Sequence, residues 1–144
     1  MTLHFRTPQS DADLALLAEL NLRLIRDEGH RNPMTLAELE KRMRDWLASS
    51  YEAVIFSLED TAVGYALYRS TTDYVYLRHF FVVPAYRRRG LGRHAFNWLR
   101  QNRWQRHPRI RVEVLSDNAR AFAFWRSVGF ESYAMTLELN HKTR

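Results

Sequence analysis

The 144-residue sequence contains no cysteine, so disulfides, thiolate metal sites and a cysteine nucleophile are all excluded. That composition suits a reducing cytoplasm. Lysine is nearly missing too: Lys41 and Lys142 are the only two, and the formal charge of +6 rests on arginine. A basic chain invites a nucleic-acid reading. The arginines, however, are scattered from Arg6 to Arg144 and run together once, at Arg87-Arg88-Arg89, so nucleic acid is a secondary expectation. With 5 Gly and 4 Pro the chain has neither fibrous nor low-complexity character. No apolar run approaches the ~20 residues that cross a bilayer, and the opening MTLHFRTPQSDADLALLAEL lacks the charged and apolar regions of a secretory signal. The expectation is a soluble, cytoplasmic, unprocessed protein with no membrane partner.

What is present is an ordinary globular composition, 46% hydrophobic and 26% charged, enough for one core and a single domain over 1–144. A short strand is expected at 3–6. Ser10 or Asp11 caps a helix whose apolar residues Leu14, Leu17, Ala18, Leu20, Leu24 and Ile25 keep helical spacing up to Gly29. Thr35 and Glu38 form a capping box for a second helix with Leu36, Leu39, Met43, Trp46 and Leu47 on its inner stripe. Strands at 52–58, 62–69 and 74–83 follow with short turns, an antiparallel meander that Pro84 ends. A helix from Gly90 to about Arg103, a strand at 109–115, a helix at 118–127 stopped by Gly129 and a last strand at 130–139 complete the chain. This order predicts an α/β domain with a mixed sheet covered by helices.

The stretch YRRRGLGRHA, residues 86–95, carries the chemistry. A strand, a loop with Gly90 and Gly92 and then a helix make an anion site, because the first N–H groups of a helix have no partner within it and the macrodipole adds positive charge there. Arg88, Arg89 and Arg93 add formal charge, and the planar guanidinium suits phosphate. The site wants a diphosphate. GLGRHA also fits the dinucleotide pattern G-x-G-x-x-A, but Pro84 to Arg89 separate the strand from Gly90 and too little chain follows for a run of βα units. No triphosphate-binding G-x-x-x-x-G-K-[ST] loop occurs.

FFVVPAYRRRGLG resembles motif A of the GNAT superfamily of N-acetyltransferases, [RQ]-x-x-G-x-[GA] after an apolar strand, here Arg87-x-x-Gly90-x-Gly92. LSDNARAFAFWRSVGF is similar to the same family's motif B, in Asn118, Ala121, Phe124-Trp125 and Gly129-Phe130. The resemblance covers roughly 74–133. It implies a three-layer fold with a mostly antiparallel sheet between helices, and transfer of acetyl from acetyl-CoA to an amine in a ternary complex, with no metal. It also implies that the diphosphate sits on about Arg88, Arg89, Gly90, Leu91, Gly92 and Arg93, with Arg87 also binding the cofactor, that pantetheine pairs along Phe80, Phe81 and Val82, that the Val82 N–H polarises the thioester carbonyl, and that Asn118, Phe124 and Trp125 line the cofactor. The two early helices stand where such enzymes build the acceptor site. A non-catalytic acetyl-CoA sensor and an Arg-rich nucleic-acid module are the competing readings.

An amine nucleophile must lose a proton and a thiolate must gain one. Many relatives use a Tyr as the acid, but Trp125 stands there and an indole N–H cannot serve; Tyr133, Ser116 or water are the substitutes. Where some members carry a Glu base on the motif A strand, this chain has Tyr76. Glu113 and His79 are the nearest titratable alternatives. Glu28, His30 and Asn32, with Asp27, form a polar cluster between the first two helices that would receive a cationic acceptor, and the abundant aromatics would suit a homodimer face.

Overall fold

The computed structural model describes residues 2–142. It contains two compact units, one ending at Glu113 and one beginning at Val114.

The first unit opens with strand β1 (Leu3–Arg6) and helix α1 (Asp11–Glu28). Ser10 is the N-cap, its hydroxyl accepting from the Asp13 N–H, and Gly29 stops the helix in the left-handed region at φ 71°. Helix α2 (Leu36–Ala48) starts on the full capping box: Thr35 accepts from the Glu38 N–H, and Glu38 accepts from the Thr35 N–H at 2.8 Å. Strands β2 (Tyr51–Leu58), β3 (Thr61–Ser70) and β4 (Val75–Val82) follow. After one 3₁₀ turn at Pro84–Tyr86 come helix α3 (Leu91–Asn102) and the short strand β5 (Ile110–Val112).

The sheet order is β1-β2-β3-β4-β5, antiparallel throughout except that β5 runs parallel to β4. Helices cover both faces. On one, Leu17, Leu24, Leu39 and Met43 of α1 and α2 pack with Ile55, Tyr65 and Phe81. On the other, the α3 residue Trp98 stacks on Phe5 at 4.2 Å between ring centres, and Phe96 meets Phe80 edge-on. Gly64 lets β3 and β4 close up, since a Cβ there would lie 2.1 Å from the Phe81 carbonyl oxygen.

Two irregularities in β4 set up the edge and the face that it offers. Leu67 pairs with His79 and Tyr68 with Leu77, so Arg78 is an extra residue. Such a bulge turns two successive side chains to one face. The ladder to β5 stops early as well, at Leu77↔Val112, while β4 runs on to Val82.

The second unit contains helix α4 (Ala119–Ser127), capped by the Asn118 side chain on the Ala121 N–H. Two strand expectations fail. The strand at 109–115 shrinks to Ile110–Val112, and the strand at 130–139 is not formed: Met135, Leu137 and Leu139 are 81%, 85% and 79% exposed. Alternation supplies a face, but a strand exists through its ladder to a neighbour, and the described residues of the second unit hold no other strand.

Candidate functional site

Past Leu77 no described strand pairs with the outer edge of β4, and that edge leads directly into the glycine turn. The Val83 N–H bonds to the Val63 carbonyl on β3. Strand groups alternate sides, so the N–H and C=O of Val82 face away from β3, toward the edge that β5 leaves uncovered. On that side the Arg87 Nε–H donates to the Val82 carbonyl at 2.9 Å, and the Val82 N–H stands beside it. Phe80 shares this edge by the same alternation. Phe81 faces β3 with its backbone and buries its ring in the core, 2% exposed.

Beyond the 3₁₀ turn, Arg88 takes a left-handed φ of 64° and Gly90 one of 75°. Gly90 is the N-cap of α3 and carries no side chain to block an incoming anion. The first bond of the helix runs from the His94 N–H to the Gly90 carbonyl. The N–H groups of Leu91, Gly92 and Arg93 thus belong to the first turn, where a helix supplies no carbonyl partners of its own. Arg89 stacks on Tyr86 with 5.4 Å between guanidinium and ring centre.

The Arg87 side chain, expected to bind cofactor, is held by an acid of α1. Its two terminal nitrogens clasp the Asp27 carboxylate at 2.5 and 3.3 Å, and its guanidinium lies 5.6 Å from the Phe81 ring centre. The motif arginine therefore ties the loop to α1. Sequence reading missed this because the partners are 60 residues apart.

On the α1/α2 face of β4, the Tyr76 hydroxyl donates to Glu113 Oε1 at 2.5 Å. Glu113 directly follows β5, where the β4–β5 ladder ends. Burial and then the bond to Glu113 push the Tyr76 hydroxyl well above its usual pKa, so the phenol stays protonated. His79 Nδ1 lies 2.9 Å from the hydroxyl of the fully buried Tyr65. Burial first, then the charges of Arg42, Arg78 and His30, lower the His79 pKa to about 3. His79 is a neutral imidazole at physiological pH, too weak a base to hold an amine proton.

Of the other sequence candidates, Glu28 is bound to His30 at 2.9 Å, and Asn32 accepts the Met34 N–H in the turn before α2. In the second unit Asn118 serves as the cap, Phe124 meets Trp125 edge-on at 4.9 Å, Trp125 meets Phe130 at 5.0 Å, and Gly129 has φ 108°. The motif B residues thus form one cap and one aromatic cluster. Tyr133 is 82% exposed. Among the described residues no group of three or more His, Asp or Glu is placed to hold a metal ion, and no helix is long and apolar enough to cross a membrane.

The profile of the acetyltransferase (GNAT) family matches residues 19–130. An uncharacterised protein of Mycobacterium leprae (strain TN) is 37% identical over 105 residues, a match that takes in 69% of this chain. The chain spans only 28% of the length of that curated relative. Among solved structures, a predicted acetyltransferase with acetyl-CoA from Clostridium acetobutylicum superposes with a TM-score of 0.74 at 20% identity, covering 96% of both chains. The aminoglycoside N-acetyltransferase AAC(6′)-Iy, in complex with a bisubstrate analogue of CoA and acetylneamine, superposes with a TM-score of 0.76 at 15% identity, covering 97% of this chain and 98% of that one.

Proposed function

Because the chain belongs to the acetyltransferase (GNAT) family, we propose that it transfers the acetyl group of acetyl-CoA to an amine by direct attack within a ternary complex. The observation that carries this reading is the outer edge of β4 past Leu77, which no described strand pairs, running into the first turn of α3. An extended pantetheine arm adds to that edge as a strand would, and the diphosphate meets the N–H groups of Leu91, Gly92 and Arg93 together with Arg88 and Arg89. The thioester carbonyl reaches the Val82 N–H, a donor that strengthens as negative charge develops on the oxygen.

Proton removal from the amine falls to Glu113, in preference to His79. The carboxylate stands at the end of the ladder, and the Tyr76 hydroxyl holds one of its oxygens. The same bond gives the developing acid a fixed orientation. The neutral His79, bonded to Tyr65, is a positioning group on the acceptor side. The two solved relatives carry acetyl-CoA or a coenzyme A analogue in their complexes, and one of them is an aminoglycoside N-acetyltransferase, which supports an amine as the acceptor class here.

Thermal melting with and without ligand tests the reading. At about a hundred times the dissociation constant, one-site binding adds roughly 2.7 kcal/mol of stability. Coenzyme A and acetyl-CoA are expected to raise the melting temperature and NAD to leave it unchanged. No shift with either coenzyme would overturn the assignment, and a shift without thiol release in the presence of any amine would favour a sensor.

A further inference from the structure

Next to the proposed acetyl site, on the α1/α2 face of the sheet, lies a set of hydrogen-bond donors that no described acid pairs, although Glu113 holds the neighbouring Tyr76. The Arg42 guanidinium lies 4.4 Å from the Trp46 ring centre and that of Arg78 lies 4.8 Å from the same ring. Among the described residues neither arginine has an ion-pair partner. Arg42 donates to Asn21 Oδ1 at 3.1 Å and Arg78 to the Tyr51 hydroxyl at 3.2 Å, both neutral acceptors. One donor remains buried and unpaired there, Arg42 Nε, and the fully buried Asn21 beside it turns its amide toward the Tyr65 hydroxyl. Arginine is ordinarily matched to a carboxylate or phosphate, and for the half-buried Arg42 an aromatic face compensates only part of the lost hydration, whereas Arg78 is exposed.

The bulge creates this arrangement. It brings Arg78 and His79 to one face, so that both touch Trp46, the His79 ring at 5.5 Å between centres. The positive potential is felt by its neighbours: Arg42 has its pKa lowered by burial and then by Arg78, and His79 is held neutral in part by both arginines. Glu28, at the end of α1, is bound to His30.

We propose that Arg42 and Arg78, with the Asn21 amide behind them, bind an anionic group, carboxylate or phosphate, carried by the acceptor amine. The proposal rests on the acetyl-transfer reading, which supplies the other end of the acceptor. Val82 lies four residues past Arg78, about 13 Å along the strand, so an acceptor whose amine meets the thioester at Val82 reaches the arginines with its far end. The Glu28–His30 pair then borders the path between the ends.

Acetate and inorganic phosphate serve as probes, titrated into protein already saturated with coenzyme A so that the glycine turn is filled. The Trp46 indole N–H resonance is read in the wild type, Arg42→Gln and Arg78→Gln. A saturable shift in the wild type, with affinity at least about tenfold weaker in both variants, is expected, and the tighter of the two anions identifies the group. A linear response to both anions, or a saturable one that persists in the variants, overturns the proposal. Arg78 is exposed, so its variant reports even where Arg42→Gln disturbs folding. Failure of coenzyme A to bind removes the acetyl-transfer reading, whereas coenzyme A binding without an arginine-dependent anion response removes this one alone.

Discussion

Arg87 and Asp27, 60 residues apart in sequence, form a two-pronged ion pair that joins the loop before α3 to the last turn of α1. The side chains are 22% and 21% exposed, so water screens the pair only in part. Charged hydrogen bonds of this kind contribute about 1.5–3 kcal/mol each. Arg87→Ala is expected to lower stability by on the order of 2 kcal/mol and to weaken coenzyme A binding by loosening the turn. A double-mutant cycle with Asp27→Ala measures the coupling, and strict additivity of the two single effects would show that the pair does not hold the loop.

Gly92→Asp is expected to abolish coenzyme A binding while the fold persists. Position 92 is in the first turn of α3, where a carboxylate offers its own oxygens to the N–H groups that the diphosphate needs. Calorimetric titration beside a circular dichroism spectrum separates lost binding from lost structure. Undiminished affinity would sink the turn as the diphosphate site.

Gly64→Ala places a methyl group 2.1 Å from the Phe81 carbonyl oxygen. Backbone must move to admit it, and overpacking of this kind costs about 1–3 kcal/mol. For a chain of this size each kcal/mol lowers the melting temperature by roughly 2–4 °C. A variant that melts with the wild type would contradict the close approach of β3 and β4.

His79 is expected to show no titration in its ring proton resonances between about pH 5 and 8. Its folded pKa of about 3 lies below the ordinary 6.5. Between those values the unfolded chain binds the extra proton, so stability rises with pH across that window, is complete above about pH 6.5 and is lost as pH falls toward 3. The slope from one such site is at most about 1.4 kcal/mol per pH unit. Denaturant midpoints of His79→Gln are expected to flatten over the same window.

Glu113→Gln is expected to reduce acetyl transfer by about a hundredfold, the lower end of what a general base contributes, with coenzyme A affinity unchanged. Trp125→Phe, by contrast, is expected to leave the pH–rate profile unaltered, because an indole N–H is a hydrogen-bond donor that does not ionise in this range. Loss of one limb of that profile in Trp125→Phe, with Glu113→Gln fully active, would reverse the assignment.

Local chemistry was legible where the signal was local. Thr35 with Glu38 and Gly29 declare their caps within a few residues of chain and form them in the structure, which also takes Ser10 rather than Asp11 at the start of α1. The apolar stripe of α1 likewise predicts its buried face, with Leu17, Ala18, Leu20, Leu24 and Ile25 all buried. What depended on distant partners was not legible: the Arg87–Asp27 clasp, the Tyr76–Glu113 bond between residues 37 apart, and the two arginines on Trp46. The last strand failed for the related reason that alternation at 130–139 specifies a face without specifying a neighbour. Arg78 escaped because a bulge interrupts the period of two, so extending one alternation along 74–83 assigns half the strand to the wrong face.

The extra residue at position 78 also separates recognition from folding. Removing it would leave a regular strand in which Tyr76, His79 and Phe81 keep their present sides, since the bulge inserts one side chain without shifting the pairing of its neighbours with β3. Position 78 can therefore change its chemistry, from cation to amide to acid, while the register and the core stay as they are. A chain built this way can drift from one class of acceptor to another by single substitutions at the sheet surface, and its descendants would share a scaffold while differing in diet.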